Sequence, residues 1–208
     1  RTARLGGAKT VNVFKPSATL APERTPYRTP SRTQYRLLEP SDAQAYKALR
    51  DASLKAAPEA FTSDFESQMS KSADSYLGRL MPLSHLRPGM AVTLGAFDAT
   101  GTLLGALTCE RDARTKKSHC ADIIAMMVAP AAQKQGIALN LIANLVELVC
   151  RNTDLQLLTL SVTASNAHTV RLYERAGFTT YGRLDRAIRV EGRYFDKLLM
   201  QRWIAKSP

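Results

Sequence analysis

The stretch from Ala121 to Cys150 constrains the fold more than any other part of the chain. Ala121 to Val128, apolar except for Asp122, reads as a buried strand. It runs into Ala129-Pro130-Ala131-Ala132-Gln133-Lys134-Gln135-Gly136-Ile137-Ala138, and then into a helix expected over Gln135 to Cys150, with Leu141, Leu145 and Leu148 at helical spacing. A strand that turns straight into an amphipathic helix predicts a sheet with that helix packed on it. The turn also points free N–H groups of Gln133 to Ala138 at whatever sits before the helix, where the dipole favours an anion. Gly136 removes a side chain where an anion must approach the backbone, Ala138 stays small, and Lys134 can add a point charge. Gly and Ala near a helix start serve tight helix-to-sheet packing equally well, so the turn taken alone leaves both readings open.

The elements around this turn predict a mixed α/β sheet. Gln34 to Glu39 reads as a first strand. Ser41 with Gln44 resembles a capping box opening a helix toward Ala57, and Ser63 with Glu66 repeats the signal for a second helix running to about Leu80. Ala91 to Phe97 and Leu103 to Cys109 form a hairpin across Asp98, Thr100 and Gly101, followed by a polar loop from Arg111 to Ser118. After the central helix come a strand over Leu155 to Val162, a helix over Ala167 to Ala176 ended by Gly177, and a closing strand over Tyr194 to Trp203. The expected architecture is a mixed, mostly antiparallel sheet of six to seven strands flanked by about four helices, one domain spanning 34–208.

Residues 1–33 read as a tail, extended or disordered, because Pro16, Pro22, Pro26 and Pro30 remove donors and block helix. Up to Gln34 this tail holds seven Lys and Arg against Glu23, which is +6 of the formal +11 charge. A cationic tail suits nucleic acid, an acidic partner or a remnant of targeting sequence, and a cationic body suits an anionic ligand. The longest apolar stretches are broken by polar residues or Pro before bilayer-spanning length, so no membrane association is expected. Cys109, Cys120 and Cys150 are odd in number and lack CxxC spacing, which suggests neither a disulfide framework nor a zinc site and points to a reducing compartment. Cys109 and Cys120 flank a strand-loop-strand hairpin, and apolar packing is the simpler role for both. His119 and His168 stand alone, without metal-ligand spacing, and no metal is expected.

Two motifs then coincide. Gln133-x-x-Gly136-x-Ala138 resembles the (Gln/Arg)-x-x-Gly-x-(Gly/Ala) signature of the GNAT acetyltransferases, and Asn166-Ala167-His168-Thr169-Val170-Arg171-Leu172-Tyr173-Glu174-Arg175-Ala176-Gly177-Phe178 is similar to that family's Asn-x-x-Ala-x-x-Leu-Tyr-x-x-x-Gly-Phe. Both lie in the expected order and strand-helix context. Pro58-Glu59-Ala60-Phe61 and the segments Arg186-Ala187-Ile188 and Asp196 to Met200 look like a bacterial-type subgroup of that family with unassigned substrates.

The resemblance implies an N-acetyltransferase fold and acetyl-CoA as co-substrate, with an amine acceptor. The diphosphate would meet the amides of Gln133, Lys134, Gln135, Gly136, Ile137 and Ala138. The pantetheine arm would pair with the backbone of Met126, Met127 and Val128, where the strand before the turn splays from its neighbour. Asn166 maps onto a coenzyme contact, although an Asn at this place serves equally as a helix N-cap. Tyr173 maps onto the phenol that protonates the departing thiolate. A branch that acetylates ribosomal-protein alanines carries Leu-Glu-Val-Arg-x-x-Asn on the fifth strand. Here Leu160-Ser161-Val162-Thr163-Ala164-Ser165-Asn166 replaces the carboxylate by Ser161, which speaks against that substrate. Asp122 and Glu110 remain as candidate bases, and the competing roles for them are exposed strand-end residues or ion-pair partners of Arg111 or Arg114. No Cys sits beside a base to form an acyl-enzyme, so direct attack in a ternary complex is expected. The alternative is a catalytically silent GNAT-fold subunit of a larger, nucleoprotein-type assembly. A homodimer is left open. The cytoplasm is the simplest compartment, and an organelle matrix the alternative if the tail is a transit remnant.

Overall fold

The computed structural model describes residues 33–204. The basic, proline-rich stretch and the partners it suits therefore lie outside the described residues, apart from Thr33. Seven strands form one sheet in the order β1-β2-β3-β4-β5-β7-β6. They are β1 (Gln34–Leu37), β2 (Ala91–Phe97), β3 (Leu103–Arg111), β4 (Cys120–Val128), β5 (Leu157–Thr163), β6 (Thr179–Val190) and β7 (Arg193–Trp203). All pairings are antiparallel except β4 with β5. Among the described residues the α-helices are α1 (Ala43–Ala56), α2 (Phe65–Met69), α3 (Ile137–Asn152) and α4 (Ala167–Arg175), with short 3-10 turns between. No helix of the described residues is long and apolar enough to cross a membrane.

The sheet carries a core on each face. On one face α3 and α4 bury Leu141, Leu145, Val149, Tyr173 and Phe178 against Leu107, Ile123, Leu158 and Leu160. On the other, α1 and the 3-10 segment Ala73–Arg79 bury Tyr46, Leu49, Tyr76 and Leu80 against Phe97, Leu103, Ala106 and Met127. The two faces change hands along β4 because of a bulge. Thr108 stands opposite Ile124 and Ala106 opposite Met127, so three steps on β4 face two on β3, and Ala125 takes φ of 51°. Ahead of the bulge Ala121 and Ile123 face α3. After it Met127 faces α1, while Met126 and Val128 face α3.

The Asp98-Thr100-Gly101 hairpin forms as expected. Asp98 Oδ1 accepts from the Thr100 and Thr102 amides, both at 2.9 Å, and Gly101 takes φ of 85°. The N-terminal half needs corrections. Ser41 and Gln44 do not cap α1. Asp42 accepts from the Glu39 amide (2.8 Å) and from both Arg36 nitrogens, and frames a 3-10 turn that leads into α1 at Ala43. The helix expected from Ser63 to Leu80 does not form as one element. Asp64 caps it through Ser67 N (2.8 Å), it stops after five residues, and a 3-10 segment resumes at Ala73. Ser70, Lys71 and Ser72 are all exposed between the two, so no buried face carries a helix across the gap. The central helix begins at Ile137, two residues later than expected, because Gly136 occupies the left-handed N-cap. The expected strand at Leu155 begins at Leu157. Cys109 lies opposite Ile123, whereas Cys120 lies opposite Leu157, and both are buried free thiols that do not meet across the hairpin.

Candidate functional site

Between β4 and β5 the sheet opens. The two strands pair only at Cys120–Leu157, Ala121–Leu158 and Asp122–Thr159. Beyond Asp122, β4 stays hydrogen-bonded to β3 but its other edge is unpaired with β5 through Val128, which leaves backbone groups of Ile123 to Val128 facing a gap. The expected splay at Met126, Met127 and Val128 is therefore present.

β4 then delivers the chain to the start of α3 through the 3-10 turn Pro130–Ala132. Lys134 and Gly136 take φ of 62° and 79°, with Gln135 between them outside that region, an alternation that turns successive amides to one side. The first backbone bond of the helix runs from Asn140 N to Gly136 O at 3.1 Å, so the amides of Ile137, Ala138 and Leu139 precede it without an intrahelical acceptor. Among the described residues no side chain caps this turn. Gln133 Nε2 donates to Val128 O (3.4 Å) and Gln135 Nε2 to Ala131 O (3.1 Å), so both glutamine side chains fold back onto loop carbonyls. The Gln133 amide, expected to be free, donates to Pro130 O (3.3 Å) because it closes the 3-10 turn, so the open amides begin at Lys134. The Lys134 side chain is exposed beside them. Uncapped amides at a helix start next to an unpaired strand edge match an anionic ligand with a peptide-like arm.

Gly105 on β3 holds α3 close. A Cβ there would stand 2.9 Å from Met127 O, 3.2 Å from Leu141 Cδ1 and 3.3 Å from Ile137 Cγ2. The helix start thus rests directly on the β3–β4 ladder, which fixes the amides relative to the gap.

α4 positions Tyr173 from both ends. Asn166 Oδ1 accepts from Thr169 N at 3.1 Å, so this side-chain oxygen is the N-cap of α4. At the other end Gly177 takes φ of 82°, Gly177 N donates to Glu174 O (2.9 Å) and Phe178 N to Tyr173 O (3.0 Å). This Schellman turn brings the Phe178 ring to 5.8 Å from the Tyr173 ring, edge to face. The spacing Tyr-x-x-x-Gly-Phe is therefore a structural clamp on the tyrosine. Tyr173 is 5% exposed, and burial pushes its phenol well above the usual tyrosine value, so it stays protonated at neutral pH.

Asp122 and Glu110 are cross-strand neighbours at the closed end of the gap, and both are exposed. Asp122 accepts from the Thr159 hydroxyl across the last β4–β5 pair. Neither forms the ion pair weighed for it. Arg111 pairs with Asp154 and Arg114 with Asp112. Ser161 lies exposed further along β5 on the same face. His168 is exposed and His119 half-buried, and no group of three or more His, Cys, Asp or Glu among the described residues could hold a metal.

Three positioning features escaped the sequence. Ala125 and Lys134 adopt positive φ although neither type signals it, and Gly105 resembles any strand glycine until α3 is placed over it. The Schellman geometry was legible in Ala176-Gly177-Phe178, but the ring contact was not.

Comparisons with known proteins agree with this geometry. A crystal structure of a GNAT-family acetyltransferase from Streptococcus pneumoniae superposes with TM-score 0.71 at 23% identity, covering 83% of this chain and 99% of that one. A GCN5-related N-acetyltransferase from Kribbella flavida gives TM-score 0.71 at 22% identity, covering 84% and 99%. Spermidine N-acetyltransferase from Vibrio cholerae, solved in complex with CoA and spermine, gives 0.67 at 22%, covering 85% and 98%. A search of curated proteins finds no match. The family model for the acetyltransferase (GNAT) family matches residues 48–178, from α1 through the gap and the cradle to Phe178. With this match over more than half its length, the chain belongs to the GNAT acetyltransferase family.

Proposed function

We propose that the chain transfers an acetyl group from acetyl-CoA to a primary amine, on a small molecule or a protein, by direct attack in a ternary complex. The observation that carries this reading is the uncapped start of α3 beside the unpaired edge of β4. Amides of Lys134 to Ala138 hold the diphosphate, the Lys134 side chain adds a positive charge at the rim, and backbone groups of Met126, Met127 and Val128 take the pantetheine amides. The coenzyme supplies an activated thioester. The amine nitrogen attacks its carbonyl carbon, the C–N bond forms, and the C–S bond breaks. Tyr173 donates its proton to the departing sulfur, and burial holds the phenol in its protonated form. The proton leaving the amine passes to Asp122 or Glu110, or to water in the gap, since both carboxylates face solvent where the strands part.

The test has two parts. Titration of the full chain with acetyl-CoA in a calorimeter should give saturable heat, and release of the CoA thiol should follow on addition of amines from a panel. No heat at millimolar coenzyme would overturn the cradle. Binding without turnover on any amine would instead favour a silent GNAT-fold subunit.

A further inference from the structure

On the face of the sheet that carries α1, two cations are buried that form no salt bridge among the described residues. Arg50 on α1 is 7% exposed, its Nε donates to Gln68 Oε1 (3.3 Å), and its Nη2 donates to Ser63 Oγ (3.1 Å). Lys197 on β7 is also 7% exposed and donates from Nζ to Thr62 Oγ1 (3.1 Å). Thr62 and Ser63 are consecutive, so cations from two separate elements converge on one turn.

Such an arrangement costs stability unless something compensates it. A buried charge lacking a counter-ion is unfavourable. Lysine can relieve part of that by releasing its proton, and burial does push Lys197 below its usual value. Arginine cannot. The neutral hydroxyls take one donor from each cation, Gln68 takes one more from Arg50, and the Tyr76 ring centroid lies 6.0 Å from the Arg50 guanidinium carbon, which still leaves most of the donors on an ammonium and a guanidinium unused. Thr62 is exposed, so the turn is reachable from solvent.

The position of the pair supplies the second argument. Lys197 stands opposite Thr163, four residues beyond Thr159, where β5 last pairs with β4. At about 3.3 Å per residue this is about 13 Å along the open gap. The Thr163 hydroxyl donates to Glu59 O (2.6 Å), so the segment bearing Thr62 and Ser63 is stitched over β5 and β7 beside the gap. α3 and its open amides pack on the opposite face.

We infer that Arg50, Lys197 and the Thr62–Ser63 turn form a carboxylate subsite, and that the acceptor is an amine bearing a carboxylate, as an α-amino acid does. This rests on the acyl-transfer reading above for the amine, but the subsite itself is testable without it. One monoanion with two oxygens would occupy the spare donors and offset the buried charge.

The test uses thermal unfolding of the full chain with N-acetylglycine, which carries a carboxylate and no free amine, against N-acetylglycinamide, its neutral counterpart. Inorganic phosphate is a poor probe because the start of α3 would also take it, and each N-acetylglycine titration is repeated with coenzyme A in excess so that the same amides are closed to the carboxylate. N-acetylglycine at tens of millimolar should raise Tm, and the amide should not. In Lys197→Met the rise should disappear, while Tm without ligand stays level or climbs, since a buried unpaired charge has been replaced by an apolar chain. In turnover, KM for glycine should lie about tenfold or more below that for glycinamide in the parent, and the ratio should collapse toward one in Lys197→Met. Equal Tm shifts from both probes, or a carboxylate shift that survives in Lys197→Met, would overturn the subsite. Arg50→Met is a second variant with the same expectation, and if it does not fold, Lys197→Met decides. Absence of acetyl-CoA binding alongside an intact carboxylate shift would defeat the acyl-transfer reading and leave the subsite standing.

Discussion

Gly105→Ala tests whether the close seat of α3 on the sheet sets up the cradle. The added Cβ meets Met127 O at 2.9 Å, which is backbone and cannot rotate away, and two side-chain carbons of α3 at 3.2 and 3.3 Å. Relief requires α3 to lift or the β3–β4 ladder to shift. Overpacking of this kind costs about 1–3 kcal/mol. Alanine regains roughly 0.5–1 kcal/mol through the lower entropy of its unfolded backbone. The net loss is therefore between about zero and 2.5 kcal/mol, which for a domain of this size lowers Tm by up to roughly 10 °C. The same displacement moves the amides of Ile137 and Ala138 relative to Met126 to Val128, so acetyl-CoA affinity should fall along with stability. Gly101→Ala is the control. It is strained because Gly101 has φ of 85°, yet nothing lies within 4 Å of its Cβ and it sits at the β2–β3 turn. It should lose about 1 kcal/mol of stability with no change in the acetyl-CoA dissociation constant. Differential scanning calorimetry and titration calorimetry on both variants separate the effects. A Gly105→Ala chain that melts and binds like the parent would refute the argument that this contact positions the cradle.

Three further outcomes follow from the same geometry. Tyr173→Phe should lower kcat about 100-fold or more while the acetyl-CoA dissociation constant moves by less than about threefold, and equal turnover in variant and parent would remove the acid role. Asn166→Ala deletes the N-cap of α4 and should cost about 1 kcal/mol, read as a lower Tm; an unchanged Tm would mean that the Thr169 contact contributes nothing. Asp42 is held below the usual carboxylate range by its hydrogen bonds from Arg36. Its contribution is thus fully present above the unfolded carboxylate value near 3.9 and lost as pH falls through the lower folded value. Arg36 is 38% exposed, so the effect is about 1 kcal/mol or less. Asp42→Asn should lower Tm at pH 7 and converge with the parent at strongly acidic pH, and parallel curves down to that limit would contradict the linkage.

The elements that could be read in the sequence are those whose signals are local. The hairpin at Asp98-Thr100-Gly101, the cap at Asn166, the stop at Gly177 and the turn before α3 each rest on side chains within a few residues of the feature they produce. The misreadings fall where burial decides. Ser63 to Leu80 has helix-start chemistry, but its exposed middle gives the helix nothing to pack on, and helix propensity alone does not sustain it. The same limit applies to the acid candidates. Asp122 and Glu110 were legible as carboxylates on neighbouring strands, yet Arg111 pairs with Asp154, which the loop after α3 brings alongside, and Arg114 pairs with Asp112, two residues before it.

The sequence by itself determined the order of elements, the two motifs and through them the family, because turn chemistry and apolar periodicity act over a few residues. Only the tertiary structure decided that β4 and β5 part after three pairs, that a bulge at Ala125 exchanges the two faces of β4, that Gly105 seats α3, and that Arg50 and Lys197 meet at one turn. Each of these joins residues far apart in the chain. Their energies arise from close packing and from desolvation of charge, and both are set by what a neighbouring element places alongside.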